Sequence, residues 1–301
     1  MSSPFFKMLP LVAASSLVAA CGGGGGAGGV ASAPTPVPLP TPTAPLIFPA
    51  VVASTDFATI GYESPAGPTP PGSLIGTGFA VRYDASSNAY VMDVPGSVPG
   101  AFQALTTGER YWNGQLRSPS GGLQPVYLNV FRPGPQNWDL SGLSYTSFAE
   151  YSAPSASGDM AFGLATPASG IPVTGSATYN AFAAGYIEGS AEDFAIRGSV
   201  LLSFNFGAGT LAGSFDPYVY DLLSGDTPLG HYEFVSTVFG VGSQTFSGEL
   251  ARSGLTERGS FNGQFTGPNA QELMARWTAP LFDNATNTTT PMFGVWVGKC
   301  C

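Results

Sequence analysis

One histidine, His231, and three cysteines, Cys21, Cys300 and Cys301, are the chain's whole supply of imidazole and thiol groups across 301 residues. A serine nucleophile would have to use His231 as its base, yet no G-x-S-x-G elbow is present. Gly230-His-Tyr-Glu-Phe234 alternates and predicts a strand, with His231 a surface or strand-pair histidine. A zinc site would rest almost wholly on carboxylates, a poor donor set for that ion. Glu192 and Asp193 are adjacent, so in a strand they point to opposite faces and cannot converge as a glycosidase pair. Gly207-Ala-Gly-Thr-Leu-Ala-Gly213 has the wrong spacing for a phosphate or dinucleotide loop. These residues predict a chain that is not an enzyme and holds no resident metal or cofactor.

Binding is the better use of what remains. Tyr111, Trp112, Trp138, Tyr218 and Tyr220 read as loop aromatics, a residue class that supplies large contact area at interfaces. Trp277 and Trp296 lie within predicted strands and read as core. Tyrosine can also ligate haem iron, so haem stays open as a ligand. Cys300 and Cys301 are adjacent; a strained ring, intermolecular pairing and free thiols all remain open for them. Ten basic against nineteen acidic residues give a net charge of −9, so the footprint needed to displace phosphate counterions is missing and nucleic acid is excluded.

The elements that must position these side chains are strands. Gly (41) and Pro (27) exceed a fifth of the chain, and only 10% is charged, yet 44% is hydrophobic and 12% aromatic. That balance excludes both a helical bundle and a disordered polyelectrolyte. Period-2 segments predict eight strands over 173–187, 193–206, 210–218, 231–239, 245–253, 259–266, 272–280 and 293–299. Val200, Leu202, Phe204 and Phe206 share one face. Eight antiparallel strands with short turns can close on themselves around a side-chain-filled interior. Upstream, 78–83 and 89–94 predict a hairpin, and 126–131, 143–151 and 159–165 predict further strands of a smaller open sheet packed beside the barrel. The expected fold is all-β, with a disordered tether before it.

The amino terminus is an address. Lys7, the apolar run from Leu9 to Ala20 and Leu17-Val-Ala-Ala-Cys21 resemble a bacterial lipoprotein signal and its processing site. That resemblance implies a signal peptide over 1–20 and Cys21 as a diacylated amino terminus; two or more acyl chains give a stable anchor where one is marginal. Gly22 follows the cysteine where an aspartate would resemble an inner-membrane retention signal, which favours the outer membrane. Residues 21–46 are a tether, glycine-rich at 22–29 and then proline-rich polyproline II at about 3.1 Å per residue. Behind it come an open β subdomain over 47–170 and the barrel over 171–301.

Several stretches resemble the transferrin-binding protein B family and the wider group of surface lipoproteins like it. Thr174-Gly-Ser-Ala-Thr-Tyr179 after Pro172 is similar to that family's opening barrel strand, and Phe204 to Phe215 to its next hairpin. Gly259-Ser-Phe-Asn-Gly-Gln-Phe-Thr-Gly-Pro-Asn-Ala-Gln-Glu272 is similar to its G-x-F-x-G-x-F-x-G-P-x-A-x-E run, with a closing strand near Phe293 to Val297. Leu143 to Phe148 resembles the last part of the "handle" sheet that precedes the barrel. The chain departs at Leu273-Met-Ala-Arg276, where many members carry glycines, and it has one handle–barrel unit rather than two lobes. The resemblance implies a surface-exposed, non-enzymatic binding module for a host protein or a haem- or iron-related ligand, serving iron acquisition; the alternative is a structural or adhesive envelope lipoprotein. On chemistry alone, Gly267-Pro-Asn-Ala270 is a turn with Asn269 suited to left-handed geometry, and Glu272 is structural, bonding turn amides with Arg276 near it.

Overall fold

A computed structural model of the chain describes residues 51, 53–65, 78–87, 89–94, 100–103, 111–116, 126–134, 137–153, 156–188, 195–220, 225–283 and 287–301. The signal, the tether and the Glu192–Asp193 pair lie outside them.

Two antiparallel sheets account for nearly all of these residues. The first is open and contains β1 (Thr55–Pro65), β2 (Ala80–Asp84), β3 (Ala89–Asp93), β4 (Gly100–Gln103), β5 (Tyr111–Leu116), β6 (Val126–Phe131), β7 (Thr146–Ala153) and β8 (Ala156–Gly163) in the order β4-β3-β2-β1-β8-β7-β6-β5. It is larger than expected, with as many strands as the barrel has in its ring. β1, β4 and β5 make the difference, and the long β1 joins the two halves of the sheet, because it pairs with β2 over its first residues and with β8 over the rest.

The second sheet contains β9 (Ser176–Ile187), β10 (Ala195–Asn205), β11 (Thr210–Val219), β12 (Thr227–Pro228), β13 (Tyr232–Val238), β14 (Thr245–Arg252), β15 (Gly259–Thr266), β16 (Glu272–Asp283) and β17 (Thr288–Cys300). Each long strand hydrogen-bonds to the next, β17 returns to β9, and β10 pairs with β11. Apart from the two-residue β12 at the side of β11, the ring is a closed eight-stranded barrel. Closure leaves no edge exposed to another chain.

Alternation decides what fills it. Along β10, Ile196, Val200, Leu202 and Phe204 enter the core, while Arg197, Ser199, Leu201 and Ser203 face outward. The interior is packed with rings: Phe215 lies against Trp277 and Trp296 at 4.7 and 5.5 Å between centroids, and Trp296 stacks on Phe234. Trp277 and Trp296 are fully buried, as their place in strands predicts. So many rings fit because glycines oppose them. A Cβ on Gly198 would stand 2.8 Å from Phe215, and one on Gly248 2.6 Å from Phe261, well inside the roughly 3.5–4.0 Å of a relaxed carbon contact. The high glycine and aromatic content is therefore one feature, since each ring uses the space that a missing side chain leaves.

The open sheet packs on the outside of this barrel. Leu140, Leu143, Phe148 and Ala161 meet Ala184, Met274, Val295 and Val297 in one buried cluster. Glu272 pins the same seam: its carboxylate accepts hydrogen bonds from the backbone N–H groups of Ser144 (2.6 Å) and Tyr145 (3.0 Å). It thus bonds turn amides, but those of the segment entering β7 rather than those of its own turn. Arg276 does not accompany it and instead lies over the Tyr62 ring at 5.4 Å. In the Gly267–Ala270 turn the left-handed positions are Gly267 (φ 81°) and Ala270 (φ 56°), not Asn269. The turn is held from outside, because Ala270 O accepts from the buried Tyr179 hydroxyl and Gly267 O from Thr166.

Filling one of the glycine spaces tests this packing. Gly263→Val places a side chain within the Phe246 ring and against Ala275. Overpacking of this kind costs about 1–3 kcal/mol, so thermal unfolding is expected several degrees below that of the parent chain. An unchanged midpoint would contradict the packing described.

Candidate functional site

The five aromatic candidates do not converge on one pocket. Tyr111 and Trp112 are not in a loop: their backbones belong to β5, paired with Phe131 and Val130 of β6. Trp138 opens a 3-10 turn, Trp138–Leu140. The side chains of these three lie outside the described residues. Tyr218 faces outward from β11, directly across the ladder from Arg197, and Tyr220 follows it at the surface. Cys21 lies outside the described residues.

Tyr218 and the turn beginning at Trp138 do meet. A cleft of about 350 Å³ runs between that turn and the barrel wall, bounded by Asp139 and Gly142 on one side and by Asn180, Ser199, Tyr218 and Lys299 on the other. A second cleft, of about 230 Å³, opens further along the same seam between β6–β7 and the ends of β9 and β10. Arg197 lines this second cleft. Its guanidinium donates to Glu150 Oε1 at 3.0 Å and lies 5.7 Å from the centre of the Phe182 ring. A cation on the barrel wall is thereby fastened to an anion on the open sheet.

Behind this pair is an unusual carboxyl. Glu150 on β7 and Asp159 on β8 are direct cross-strand partners, so both side chains face the barrel. Like charges in that relation repel. Asp159 is completely buried, and neither of its oxygens has a hydrogen-bond partner among the described residues. Burial, then the charge of Glu150, push its ionisation well above the ordinary carboxylate range, and Arg197 offsets this only in part. The neutral, protonated form of Asp159 is therefore favoured. Glu272 is also shifted upward by burial, against the opposing effect of the amides it accepts from.

None of Arg197, Glu150 and Asp159 was anticipated. Arg197 carried a signal, being one of only ten basic residues and standing at an outward position of a clear alternating run. The carboxyl pair becomes visible only when the β7–β8 hairpin register is known. His231, exposed at the start of β13, is held between Asp216 (Nδ1, 2.6 Å) and Glu233 (Nε2, 2.8 Å). Hydrogen bonding to Asp216, then to Glu233, raises its pKa and favours the protonated form. Cys300 and Cys301 form a disulfide with each other, which selects the ring among the three alternatives. Among the described residues no group of three or more His, Cys, Asp or Glu is placed to hold a metal ion.

The fold is similar to solved lobes of the family whose motifs the sequence resembles. A double mutant of transferrin-binding protein B from Haemophilus parasuis Hp5 matches with a TM-score of 0.49 and 14% identity, over 80% of this chain and 44% of that one. Isotype 1 of that protein from serogroup B Neisseria meningitidis matches with a TM-score of 0.43 and 15% identity, over 81% and 43%. The N-lobe domain of lactoferrin-binding protein B of Moraxella bovis gives a TM-score of 0.30 and 13% identity, over 83% of this chain and all of that domain. The chain spans less than half the length of the transferrin-binding proteins it matches. No protein-family model and no curated protein matches the sequence.

Asp159 makes stability depend on pH in a stated direction. Its native pKa is above the unfolded value of about 3.9, so the native state holds a proton that the unfolded chain has released. The stabilisation is complete below about pH 3.9 and declines as pH rises toward the native pKa. Asp159→Asn keeps the shape and removes the titration. The variant is expected to gain stability relative to the parent as pH rises above about 3.9 in urea unfolding series, and parallel pH profiles for the two proteins would contradict the assignment.

Proposed function

We propose that this chain is a non-enzymatic binding module, lipid-anchored at Cys21 in the bacterial outer membrane and exposed at the cell surface. Its ligand is a host protein, or a haem- or iron-carrying protein, engaged by the outer surface of the handle-like open sheet and the barrel. The supporting observation is where space exists. The barrel interior is filled by rings, whereas the two clefts open on the outside, along the seam. At about 230 and 350 Å³ they lie below and at the bottom of the roughly 300–1,000 Å³ typical of pockets that enclose a small ligand. Clefts of this size suit the side chains of a macromolecular surface better than an enclosed cofactor. Transferrin- and lactoferrin-binding are the named properties of the similar proteins; for this chain the iron-carrier class is supported by the sequence motifs around 259–272.

The tether fits the same reading. Residues 22–46 are glycine-rich and then proline-rich, the composition of a spacer between an anchor and a module that a large partner must reach.

Two experiments test this. Cys21→Ser is expected to lose metabolic labelling with palmitate and to leave the outer-membrane fraction; retention of both would remove the anchor. The purified full chain, in detergent, is titrated with haemin and with transferrin, lactoferrin and haemoglobin. Binding of at least one carrier protein is expected, weakened about tenfold by Tyr218→Ala, which is the size of a modest interface anchor. No carrier bound and no shift of the Soret band would favour the structural or adhesive alternative.

A further inference from the structure

We propose that the smaller cleft is a receptor for one guanidinium or ammonium side chain of the protein partner, with Glu150 as its ion-pair acceptor and Asp159 as a reserve of negative charge. This rests on the reading above, that the chain binds a protein through its outer surface.

Charge accounting is the first argument. Glu150 and Asp159 face the barrel from adjacent strands, and Arg197 is the cation bonded to the pair, through Glu150 Oε1 alone. A second cation seated beside Glu150 would bring the cluster to two positive and two negative groups once Asp159 ionises. Until then a fully buried carboxyl stands without a hydrogen-bond partner among the described residues, a state that native structures keep only for a reason. Replacing water by protein around such charges strengthens each attraction, provided the set is balanced.

The walls are the second argument. Tyr127, exposed on β6, and Tyr186, at the end of β9, bound the cleft together with Glu150. Aromatic faces beside a carboxylate are the surroundings in which a guanidinium or ammonium is held, by the ring quadrupole and by the ion pair. Arg197 over Phe182 and Arg276 over Tyr62 already show this chemistry at the same seam. The net charge of −9 draws positive groups toward the surface at long range.

Binding therefore releases a proton. The arriving cation stabilises the Asp159 carboxylate, the O–H bond breaks, and the proton passes to buffer.

The probe is N-acetyl-arginine amide, which carries one guanidinium and no other charge, titrated into the full chain and followed by calorimetry in two buffers of different ionisation enthalpy. N-acetyl-lysine amide reports the ammonium and N-acetyl-glutamine amide is the neutral control. Saturable binding near 1 mM is expected for the arginine compound, about −4 kcal/mol, with an enthalpy that differs between buffers because a proton leaves. Glu150→Gln should weaken it about tenfold or more. Tyr127→Ala, a surface change that leaves the Arg197–Glu150 pair in place, should weaken it about threefold, within the range of an exposed cation–π contact. Asp159→Asn should abolish the difference between buffers. Binding no tighter than the glutamine control, or Glu150→Gln indistinguishable from the parent, overturns the proposal. If a carrier protein is still captured, and that capture is sensitive to Tyr218→Ala but not to Glu150→Gln, the general binding reading stands and only the cation receptor falls.

Discussion

A ring of eight strands has an interior too narrow for rings and side chains at every inward position, and this constraint organises the molecule. Phe204, Phe215, Phe234, Phe246, Phe261, Phe265, Trp277 and Trp296 occupy it, and the glycines at 198, 213, 248 and 263 face rings of this set. Close packing of this kind leaves no room to adjust, so a one-carbon change is felt across the barrel. It also leaves the filled interior as a scaffold that positions the residues of the outer wall. The composition, rich in glycine and aromatics together, follows from that division of labour.

The seam is built differently. Its centre is apolar, with Phe148, Leu143 and Val295 in contact, but it is bordered by groups that need specific partners. Glu272 holds the amides of Ser144 and Tyr145 at one place, Arg197 holds Glu150 at another, and Arg276 covers Tyr62 at a third. Such polar contacts add little net stability when made, yet leaving one partner buried and alone is costly, which fixes orientation. The open sheet therefore meets the barrel in one arrangement, with the smaller cleft beside Arg197 already formed. Asp159 is the exception, a buried group whose surroundings do not satisfy it.

Local pattern made the barrel legible. Gly259–Thr266 has the same bounds in the sequence reading and in the structure, and Val126–Phe131 does as well, because alternation and flanking turns lie within the segment itself. β1 escaped notice: TDFATIGYESP holds Gly61 and a terminal Pro65, and its support comes from Ala156–Gly163, about a hundred residues away. Tyr111 and Trp112 looked like loop residues because Asn113 and Gly114 follow them, yet pairing with β6 overrides that local preference. The site was less legible still. Tyr218 was found by residue type, but Glu150, Asp159 and Arg197 acquire meaning only through a hairpin register and a contact between residues 47 positions apart. Charge pairs across a domain seam leave no periodic trace.

The proposed binding uses the seam while the filled barrel stays inert. Amide hydrogen exchange, compared between the free chain and the chain saturated with a captured carrier protein, addresses it directly. New protection is expected on β6, β7 and the outward edges of β9 to β11, with the 138–145 segment included. Protection gathered instead on β13 and β14 would contradict the account.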